Sequence, residues 1–373
     1  MKPNLEYQGF ELGPIRPPSE AYSLLLRINR GCGWNRCKFC GFYRNERFRV
    51  RPVDHVKRDI DQIKEWIDVF EGKTSRQPQN EAENEACYDA MLWYQHGMES
   101  VFFQDANSML MRPENMLQVL EYLNKTFPNI QRITTYGRSD TIASIEDRYL
   151  KQYVQLKLNR VHIGLETGCD ELLKLVNKGV TKQVQIEAGR KAMAAGMEVN
   201  EFYMPGLGGR EYAHQSALDT ADVLNQVNPD FIRIRSMALA DSLDLYADYE
   251  AGTFTRTNDI DDILEIRTFL ENLDGITSQV ESDHILNILL ELGGKLPQDK
   301  GRMLDTIDRF LDLPADRQIL FRLGRRLGLM SQMSDLNNPF LTQRVEEIRR
   351  GNNVDESNID HISSQLMIRA IPI

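Results

Sequence analysis

The stretch Arg30-Gly31-Cys32-Gly33-Trp34-Asn35-Arg36-Cys37-Lys38-Phe39-Cys40-Gly41-Phe42-Tyr43-Arg44 carries three of the five cysteines of this chain. It follows the apolar run Ser23-Leu24-Leu25-Leu26-Arg27-Ile28, which predicts a buried strand. A strand that opens into a short loop with three thiolates is typical of an iron–sulfur cluster site. Cys87 and Cys169 are distant in sequence and lie in segments with helical patterns. We therefore expect a cluster with three protein ligands and one iron that is open to another molecule.

Three other uses of these cysteines remain open at this point. A structural zinc site needs four ligands, and the sequence has no second CxxC or HxxxH pattern to complete a tetrahedron. A [2Fe–2S] ferredoxin site shares the C-x4-C-x2-C spacing, but it would need Cys87 or Cys169 as its fourth ligand. A disulfide framework is disfavoured, because five cysteines in 373 residues do not form the pattern of a small secreted protein.

Composition and charge indicate an ordinary globular protein and exclude some partners. The formal net charge of −10 argues against a large nucleic-acid partner, since duplex binders need a basic surface. Residues 1–7 have no apolar core of a signal peptide, and no apolar run approaches the roughly 18 residues of a membrane span. We therefore expect a cytoplasmic protein with no membrane span. Residues 317–326 form a local basic stretch, and their apolar spacing predicts a helix with a solvated basic face.

The strand, the three-cysteine loop and the segment that follows resemble the start of a radical S-adenosylmethionine (SAM) enzyme. The superfamily pattern is CxxxCxφC, and the aromatic position φ is occupied by Phe39. The first gap here has four residues, Gly33–Arg36, instead of three, as in some members of the superfamily. The resemblance implies that Cys32, Cys37 and Cys40 hold a [4Fe–4S] cluster and that SAM binds its fourth iron.

Strand-like and helix-like patterns alternate along the first 240 residues, which predicts right-handed crossovers and a parallel sheet. A helix is predicted over residues 54–70, a loop over 71–85, a second helix over 86–96 and a third from Pro113. The predicted strands cover residues 22–29, 99–104, 131–136, 160–165, 197–203 and 230–235. Six such units fit an α/β fold of the partial (β/α)6 barrel type found in radical SAM proteins, with an open doubly wound sheet as the alternative.

We predict three regions along the chain. Residues 1–20 form an N-terminal extension, and residues 21–240 form the radical SAM partial barrel. Residues 241–373 form a mainly helical region, with one possible extended piece at 277–281, that closes the barrel and supplies substrate specificity.

The carboxyl ends of parallel strands are where α/β barrels collect their chemistry. The second strand is followed by Asp105, Asn107 and Ser108, at the place where radical SAM proteins often carry Gly-Gly-Glu. The resemblance implies that these residues accept hydrogen bonds from the SAM ammonium group; helix capping by Asp105 is the alternative. Arg138, after the third strand, offers a planar fork to the SAM carboxylate, or else pairs with Asp140.

The later strands supply further candidates. By the resemblance, Glu166 accepts the two ribose hydroxyls of SAM, and Phe39 also contacts the cofactor. The stretch Tyr203-Met204-Pro205-Gly206 is similar to a segment near the adenine in the coproporphyrinogen-oxidase-like branch, so its first three residues are candidate cofactor contacts. Tyr203 is also a candidate catalytic residue, and Arg235 a further cofactor contact. His284 is a candidate acid or base near neutral pH, unless it is an interface or surface histidine.

The resemblance covers roughly residues 15–240 and implies an enzyme. A reduced flavodoxin or ferredoxin passes one electron to the cluster, and SAM is cleaved to methionine and a 5′-deoxyadenosyl radical. The radical then abstracts hydrogen from a small organic substrate. Two other classes remain open: a SAM-cleaving aminocarboxypropyl transferase, which yields methylthioadenosine, and a non-catalytic iron–sulfur protein for electron transfer or redox sensing.

Overall fold

Strands and helices alternate along the chain in this computed structural model, which describes residues 6–370. The strands are β1 Leu24–Arg27, β2 Asn29–Arg30, β3 Arg49–Val50, β4 Ser100–Gln104, β5 Arg132–Gly137, β6 Leu158–Glu166, β7 Glu198–Tyr203, β8 Phe231–Ile234, β9 Gln279–Glu281 and β10 Gly294–Lys295. The helices are α1 Val53–Phe70, α2 Glu81–Gln95, α3 Pro113–Thr126, α4 Ser139–Ser144, α5 Asp147–Gln155, α6 Asp170–Leu175, α7 Lys182–Ala194, α8 Gly209–Val227, α9 Asp244–Glu250, α10 Asp259–Asn272, α11 Lys300–Leu311, α12 Ala315–Arg326, α13 Pro339–Gly351 and α14 Ile359–Ala370.

Eight strands belong to one mainly parallel sheet with the order β1-β4-β5-β6-β7-β8-β9-β10. Leu24 pairs with Val101 and Val101 with Ile133 in parallel register, whereas β10 runs antiparallel to β9. β2 and β3 form a separate antiparallel pair. In the described part of the chain this sheet is not a closed barrel, because β1 and β10 are its unpaired ends. The predicted α/β class with an incompletely closed parallel sheet is confirmed.

The six predicted strands correspond to β1, β4, β5, β6, β7 and β8, in that chain order. The predicted helix at 54–70 is confirmed as α1, and α3 begins at Pro113 as expected. The start of the second helix was wrong: α2 begins at Glu81, within the predicted loop. The physical reason is its N-cap, since Asn80 Oδ1 accepts the Glu83 N–H at 3.0 Å and so satisfies a donor of the first turn.

The chain divides into two compact units that interleave in sequence. The first comprises Met1–Asn35, Phe42–Gly164 and Glu187–Val199, and the second comprises Arg36–Gly41, Leu165–Ile186 and Asn200–Ile373. The predicted regions 1–20, 21–240 and 241–373 follow chain order instead and remain a functional prediction; residues 1–5 and 371–373 lie outside the described residues. No helix within residues 6–370 has the length and apolar character needed to cross a membrane.

The first unit is built on the apolar faces of its helices. Val56, Ile60, Ile63 and Ile67 recur at helical spacing along α1 and are buried in the same core as the β4 residues Val101 and Phe103. Asp89 of α2 is buried in this unit and its Oδ2 accepts the Leu25 N–H at 3.0 Å. Burial raises the pKa of Asp89 to about 7.

The second unit has its own core, in which Ile232 and Ile234 of β8 share one cluster with apolar residues of α8, α10, α11 and α12. The basic face predicted for residues 317–326 as solvated was wrong. Arg322 and Arg326 of α12 are buried and bind Asp259 at the start of α10, with Arg322 Nε 2.7 Å from Asp259 Oδ2. A buried carboxylate therefore replaces water as the partner of these cations, and the pKa of Asp259 is held well below its usual value.

Candidate active site

All five cysteines lie within the described residues, and none of them forms a disulfide bond. Cys32, Cys37 and Cys40 are half-buried, so each thiol is partly accessible. In the first unit, Cys32 Sγ accepts the Asn35 N–H at 3.4 Å. Asn35 has a positive φ of 48°, and its side-chain amide donates to the Tyr43 carbonyl at 2.6 Å. These contacts fix the loop directly after Cys32.

In the second unit, the segment with Cys37 and Cys40 is held through Lys38. Its N–H donates to the Val176 carbonyl at 2.9 Å, and its carbonyl accepts the Leu245 N–H at 3.0 Å. The Lys38 ammonium lies 2.7 Å from Asp248 Oδ2. The Cys40 N–H also donates to the Cys37 carbonyl at 3.2 Å, which closes a turn between the two thiols. Lys38, between the two cysteines, is therefore held by two hydrogen bonds of its backbone and by an ion pair of its side chain.

The donor set of this loop fits a cluster held by three cysteines, because it offers three partly accessible cysteines outside any disulfide, with a backbone N–H that donates to Cys32. Over residues 6–370, however, no group of three or more His, Cys, Asp or Glu side chains is already arranged around a point as a metal site.

The remaining two cysteines are poorly suited as a fourth ligand. Cys169 is buried in an apolar cluster with Leu172, Val176 and Leu207, and burial raises the pKa of its thiol to about 11. Burial also raises the pKa of Cys87. Both thiols thus favour the protonated form, whereas a metal ligand is a thiolate.

Arg138 lies close to the cysteine loop of the first unit. Its guanidinium lies 5.3 Å from the centre of the Trp34 ring, between Cys32 and Cys37 in sequence, and its Nε donates to Asp140 Oδ1 at 3.0 Å. The Arg138 side chain is 9% exposed and that of Asp140 is 42% exposed. The ion pair considered from sequence is therefore present, and the role of Arg138 toward SAM stays a prediction.

The three polar residues after β4 are buried and bonded within the first unit. Asp105 accepts from Arg27 Nε at 2.6 Å and from the Tyr43 hydroxyl at 2.9 Å. Asn107 donates to Thr141 Oγ1 at 2.8 Å and accepts the Arg138 N–H at 3.3 Å. The Ser108 hydroxyl donates to the Gln104 carbonyl at 2.8 Å. The structure thus connects Asn107 to Arg138 directly, and it connects Asp105 to the start of the cysteine loop through Tyr43.

Glu166 ends β6 with a positive φ of 64° and pairs with a lysine that sequence reasoning missed. Lys178 Nζ lies 3.0 Å from Glu166 Oε1, and the two side chains are 9% and 13% exposed. The same ammonium lies 5.7 Å from the centre of the Phe39 ring. Phe39 and Glu166, both predicted cofactor contacts, are therefore brought together by Lys178. A lysine in the turn after α6 carries no local sequence signal of such a role.

Glu201, in the middle of β7, is a second missed residue. It is 1% exposed, and its Oε2 has no hydrogen-bond partner in the described structure. Burial, and after it the charge of Glu166, raises the pKa of Glu201 well above its usual value, while Lys178 opposes this. Burial thus favours the neutral form of the Glu201 carboxyl group.

Tyr203, Met204 and Pro205 form the end of β7 and the turn after it. Tyr203 is fully buried, stacks at 4.4 Å from the Phe269 ring centre, and donates to Glu265 Oε1 at 2.8 Å. The Met204 N–H donates to the Glu166 carbonyl at 2.9 Å, and the Pro205 carbonyl accepts the Met237 N–H at 3.0 Å. The turn is therefore tied to the ends of β6 and β8.

Arg235 and His284 are neighbours in the second unit. The Arg235 guanidinium lies over the Phe202 ring at 4.0 Å. The backbone N–H of Arg235 donates to the Tyr203 carbonyl at 2.9 Å. Burial, followed by the charge of Arg235, lowers the pKa of His284 to about 4. His284 is therefore a neutral imidazole at neutral pH, and its Nδ1 has no hydrogen-bond partner among the residues described.

Part of the sequence is also similar to a known protein family. The sequence model described as Radical SAM superfamily matches residues 70–221, a segment that contains Arg138, Glu166, Lys178 and Tyr203 but not the cysteine loop. None of the curated proteins matches the sequence.

Several solved structures are similar in fold. Elp3 of the archaeon Methanocaldococcus infernus, with its N-terminus deleted, is 16% identical over 54% of this chain and 52% of that chain, with a TM-score of 0.41. Coproporphyrinogen III oxidase (HemN) from Escherichia coli is 16% identical over 67% and 52%, with a TM-score of 0.46. The methyltransferase TsrM from Kitasatospora setae, with cobalamin and a [4Fe–4S] cluster bound, is 13% identical over 91% and 64%, with a TM-score of 0.45. The chain thus spans about half to two thirds of the length of these proteins. Residues 70–221 are therefore similar to the radical SAM superfamily, whose members use a [4Fe–4S] cluster and SAM.

Proposed function

We propose that this protein is a radical SAM enzyme that acts on a small organic substrate. When bound, the cluster and SAM supply a reductive cleavage that yields methionine and a 5′-deoxyadenosyl radical able to abstract hydrogen from a C–H bond. Cys32, Cys37 and Cys40 would hold the cluster, and the protein would orient SAM and substrate and exclude water.

The observation that carries this proposal is the pairing of a nearly buried cation with an aromatic residue of the cysteine loop in each unit. Arg138 lies against Trp34 in the first unit, and Lys178 lies against Phe39 in the second. Each cation also binds an acid, Asp140 or Glu166. A loop with only a structural role would not require two such cation–aromatic pairs. In the first unit Arg138 would bind a carboxylate, and in the second unit Glu166 would accept hydroxyls, two groups that SAM carries.

In the second unit, some residues would contact SAM and others would hold those residues in position. Glu166 would accept the ribose hydroxyls, with Lys178 fixing its carboxylate, and Met204 and Pro205 would contact the adenine. Glu265 accepts both the Tyr203 hydroxyl and the Gly206 N–H, the latter at 2.9 Å. Tyr203 would therefore act as a positioning residue of this turn. His284, neutral beside Arg235, would accept a proton from the substrate.

We further propose that an acidic flavodoxin or ferredoxin supplies the electron. The chain has a net charge of −10, but residues 30–51 contain seven Lys or Arg residues and only one Glu. Arg47 and Arg49 are exposed, and Phe42, which is near them in sequence, is 51% exposed. A basic surface with an exposed aromatic residue close to the cysteines in sequence favours an acidic redox protein.

The test is an anaerobic assay of the reconstituted protein with dithionite and SAM. The adenosyl product is identified by mass spectrometry, and the reduced cluster is followed by EPR. We expect 5′-deoxyadenosine and a SAM-dependent change of the EPR signal. Cys40→Ser should abolish both, whereas Cys87→Ser and Cys169→Ser should retain them.

Other outcomes would assign another class. Methylthioadenosine as the product would indicate aminocarboxypropyl transfer. A [2Fe–2S] spectrum that is lost in Cys87→Ser or Cys169→Ser, with no response to SAM, would indicate a non-catalytic electron-transfer or redox-sensing protein.

A further inference from the structure

Two arginines at the end of β8 lie on the face of the sheet that points away from the helices of the second unit. Side chains alternate between the faces of a strand, and Ile232 and Ile234 pack into the apolar cluster with α8 and α10. Arg233 and Arg235 therefore project from the other face. Phe202 pairs in register with Arg233, and the Arg235 guanidinium lies over its ring at 4.0 Å. Arg235 directly follows the carboxyl end of β8, where parallel α/β sheets bind ligands.

The two arginines differ in their anionic partners. Arg233 is bound by two carboxylates: its Nη2 lies 2.5 Å from Glu281 Oε2, and its Nη1 binds Asp283. Arg235 forms no ion pair within residues 6–370, and its side chain is half-buried. Of its three guanidinium nitrogens only Nε is enclosed without a partner, so the two terminal nitrogens are open to solvent. The charge of Arg233 is thus compensated inside the protein, whereas that of Arg235 is left for a ligand.

The loop after β9 carries His284 and is fixed to the same strand end. Asn287 Nδ2 donates to the Ile234 carbonyl at 2.8 Å, and Asn287 Oδ1 accepts the Ser236 N–H at 2.9 Å. These two bonds lie on either side of Arg235 in sequence, so they hold the loop beside that residue. The Nδ1 atom of His284 is buried and has no hydrogen-bond partner in the described part of the chain. A second polar group without a partner therefore lies next to the guanidinium.

The surroundings of Arg235 are open, so a ligand can reach it without an enclosed cavity. Ile285 is 62% exposed, and the side chain of Asp283 is 43% exposed. Asp283 is already bound to Arg233 and does not compensate Arg235. The uncompensated charge at this strand end is therefore positive. A guanidinium presents a planar fork of donors, which matches the two oxygens of a carboxylate.

We propose that Arg235 binds a carboxylate group of the small organic substrate. The Nδ1–H tautomer of His284 donates a second hydrogen bond to that carboxylate, and Ile285 contacts the apolar part of the molecule. The resemblance implied a cofactor contact for Arg235, and SAM also carries a carboxylate, so the test separates these two sources. The assignment of this ligand as substrate rests on the proposed function. Binding is measured without turnover, so a failure of the radical reaction and a failure of this site give different results.

The test is isothermal titration of the reconstituted full chain, under anaerobic conditions at pH 7, with phenylacetate and its neutral analogue phenylacetamide. We expect phenylacetate to bind at least fivefold more tightly than phenylacetamide. Arg235→Gln should remove this preference, and Arg235→Lys should retain part of it. Arg344→Gln, the same change at an exposed arginine of α13 in the same unit, is the matched control and should leave the preference unchanged. Saturating SAM should not weaken phenylacetate binding, and displacement by SAM would overturn the proposal by assigning Arg235 to the cofactor.

A measurement on the unaltered chain keeps the test decisive if Arg235→Gln folds poorly. Phenylglyoxal modifies accessible guanidinium groups, and peptide mass spectrometry locates the modified residue. We expect Arg235 to react at least tenfold faster than Arg233, because two carboxylates hold Arg233. Phenylacetate should slow the reaction of Arg235, and phenylacetamide should not. Equal reactivity of the two arginines, equal binding of acid and amide, or an unchanged preference in Arg235→Gln would overturn the proposal.

Discussion

Lys178→Met would break the contact that joins Glu166 to the cysteine segment of the second unit. Both side chains of the ion pair are nearly buried, at 9% and 13% exposure, with a separation of 3.0 Å. Removing one partner of such a pair leaves the other charge uncompensated, which costs roughly 3–5 kcal/mol. Glu201, the buried acid nearby, cannot replace the lost cation. We expect the free energy of unfolding to fall by about 3 kcal/mol. This is the lower end of that range, because the ion pair remains partly exposed to solvent.

The measurement is urea denaturation of the full chain at pH 7 under reducing conditions, as a double-mutant cycle. Lys178→Met/Glu166→Gln removes both charges, so its stability should return to within about 1 kcal/mol of the wild type. Lys182→Met is the matched control, since Lys182 also binds two carboxylates, Asp219 and Asp222, but in a more exposed setting. It should cost less than about 1 kcal/mol. Equal losses in Lys178→Met and Lys182→Met, or a double variant less stable than Lys178→Met alone, would refute the reasoning.

Three further outcomes are expected. Asp89 keeps its proton up to a pKa of about 7 in the folded chain and loses it near pH 4 when unfolded, so stability falls as the pH rises through this window. Asp89→Asn should remove roughly 3–4 kcal/mol of that fall, measured by denaturation at pH 4 to 8; an unchanged pH profile would contradict the burial argument. Arg47→Glu/Arg49→Glu should slow flavodoxin-driven turnover at least tenfold and dithionite-driven turnover less than twofold; equal slowing would count against a docking surface. Gly206→Ala should lower the melting temperature, because φ is +82° and the new Cβ would lie 2.7 Å from Asp262 Oδ1 and 2.8 Å from Thr257 Oγ1; an unchanged melt would show that the turn relaxes.

Much of the sheet was predictable from sequence because its strands are short apolar runs separated by amphipathic helices. Periodicity indicates which face of α1 is buried, and Pro113 marks the start of α3. The earlier start of α2 was also encoded locally, since Asn80 is followed three residues later by Glu83, a pairing typical of a helix start. Local patterns of this kind report the conformation of a segment and the side it buries.

Long-range partners were not predictable, because they depend on which polar residues the fold brings together. Periodicity places Arg322 and Arg326 on the polar side of α12, but it cannot show that Asp259 is buried against that side. The contact of Lys178 with Phe39 likewise depends on the turn after α6, and no single sequence reports it. The cysteines were recognisable because their spacing is local.

The anchoring of Lys38 has a consequence for biosynthesis. The residue that binds its ammonium, Asp248, is 210 positions further along the chain. At a translation rate of about 5–20 residues per second, Asp248 is synthesised roughly 10–40 s after Lys38. During that interval Cys37 and Cys40 are on a nascent chain without their native support. The segment that carries Cys37 and Cys40 can therefore gain this support only after the ribosome has passed α9.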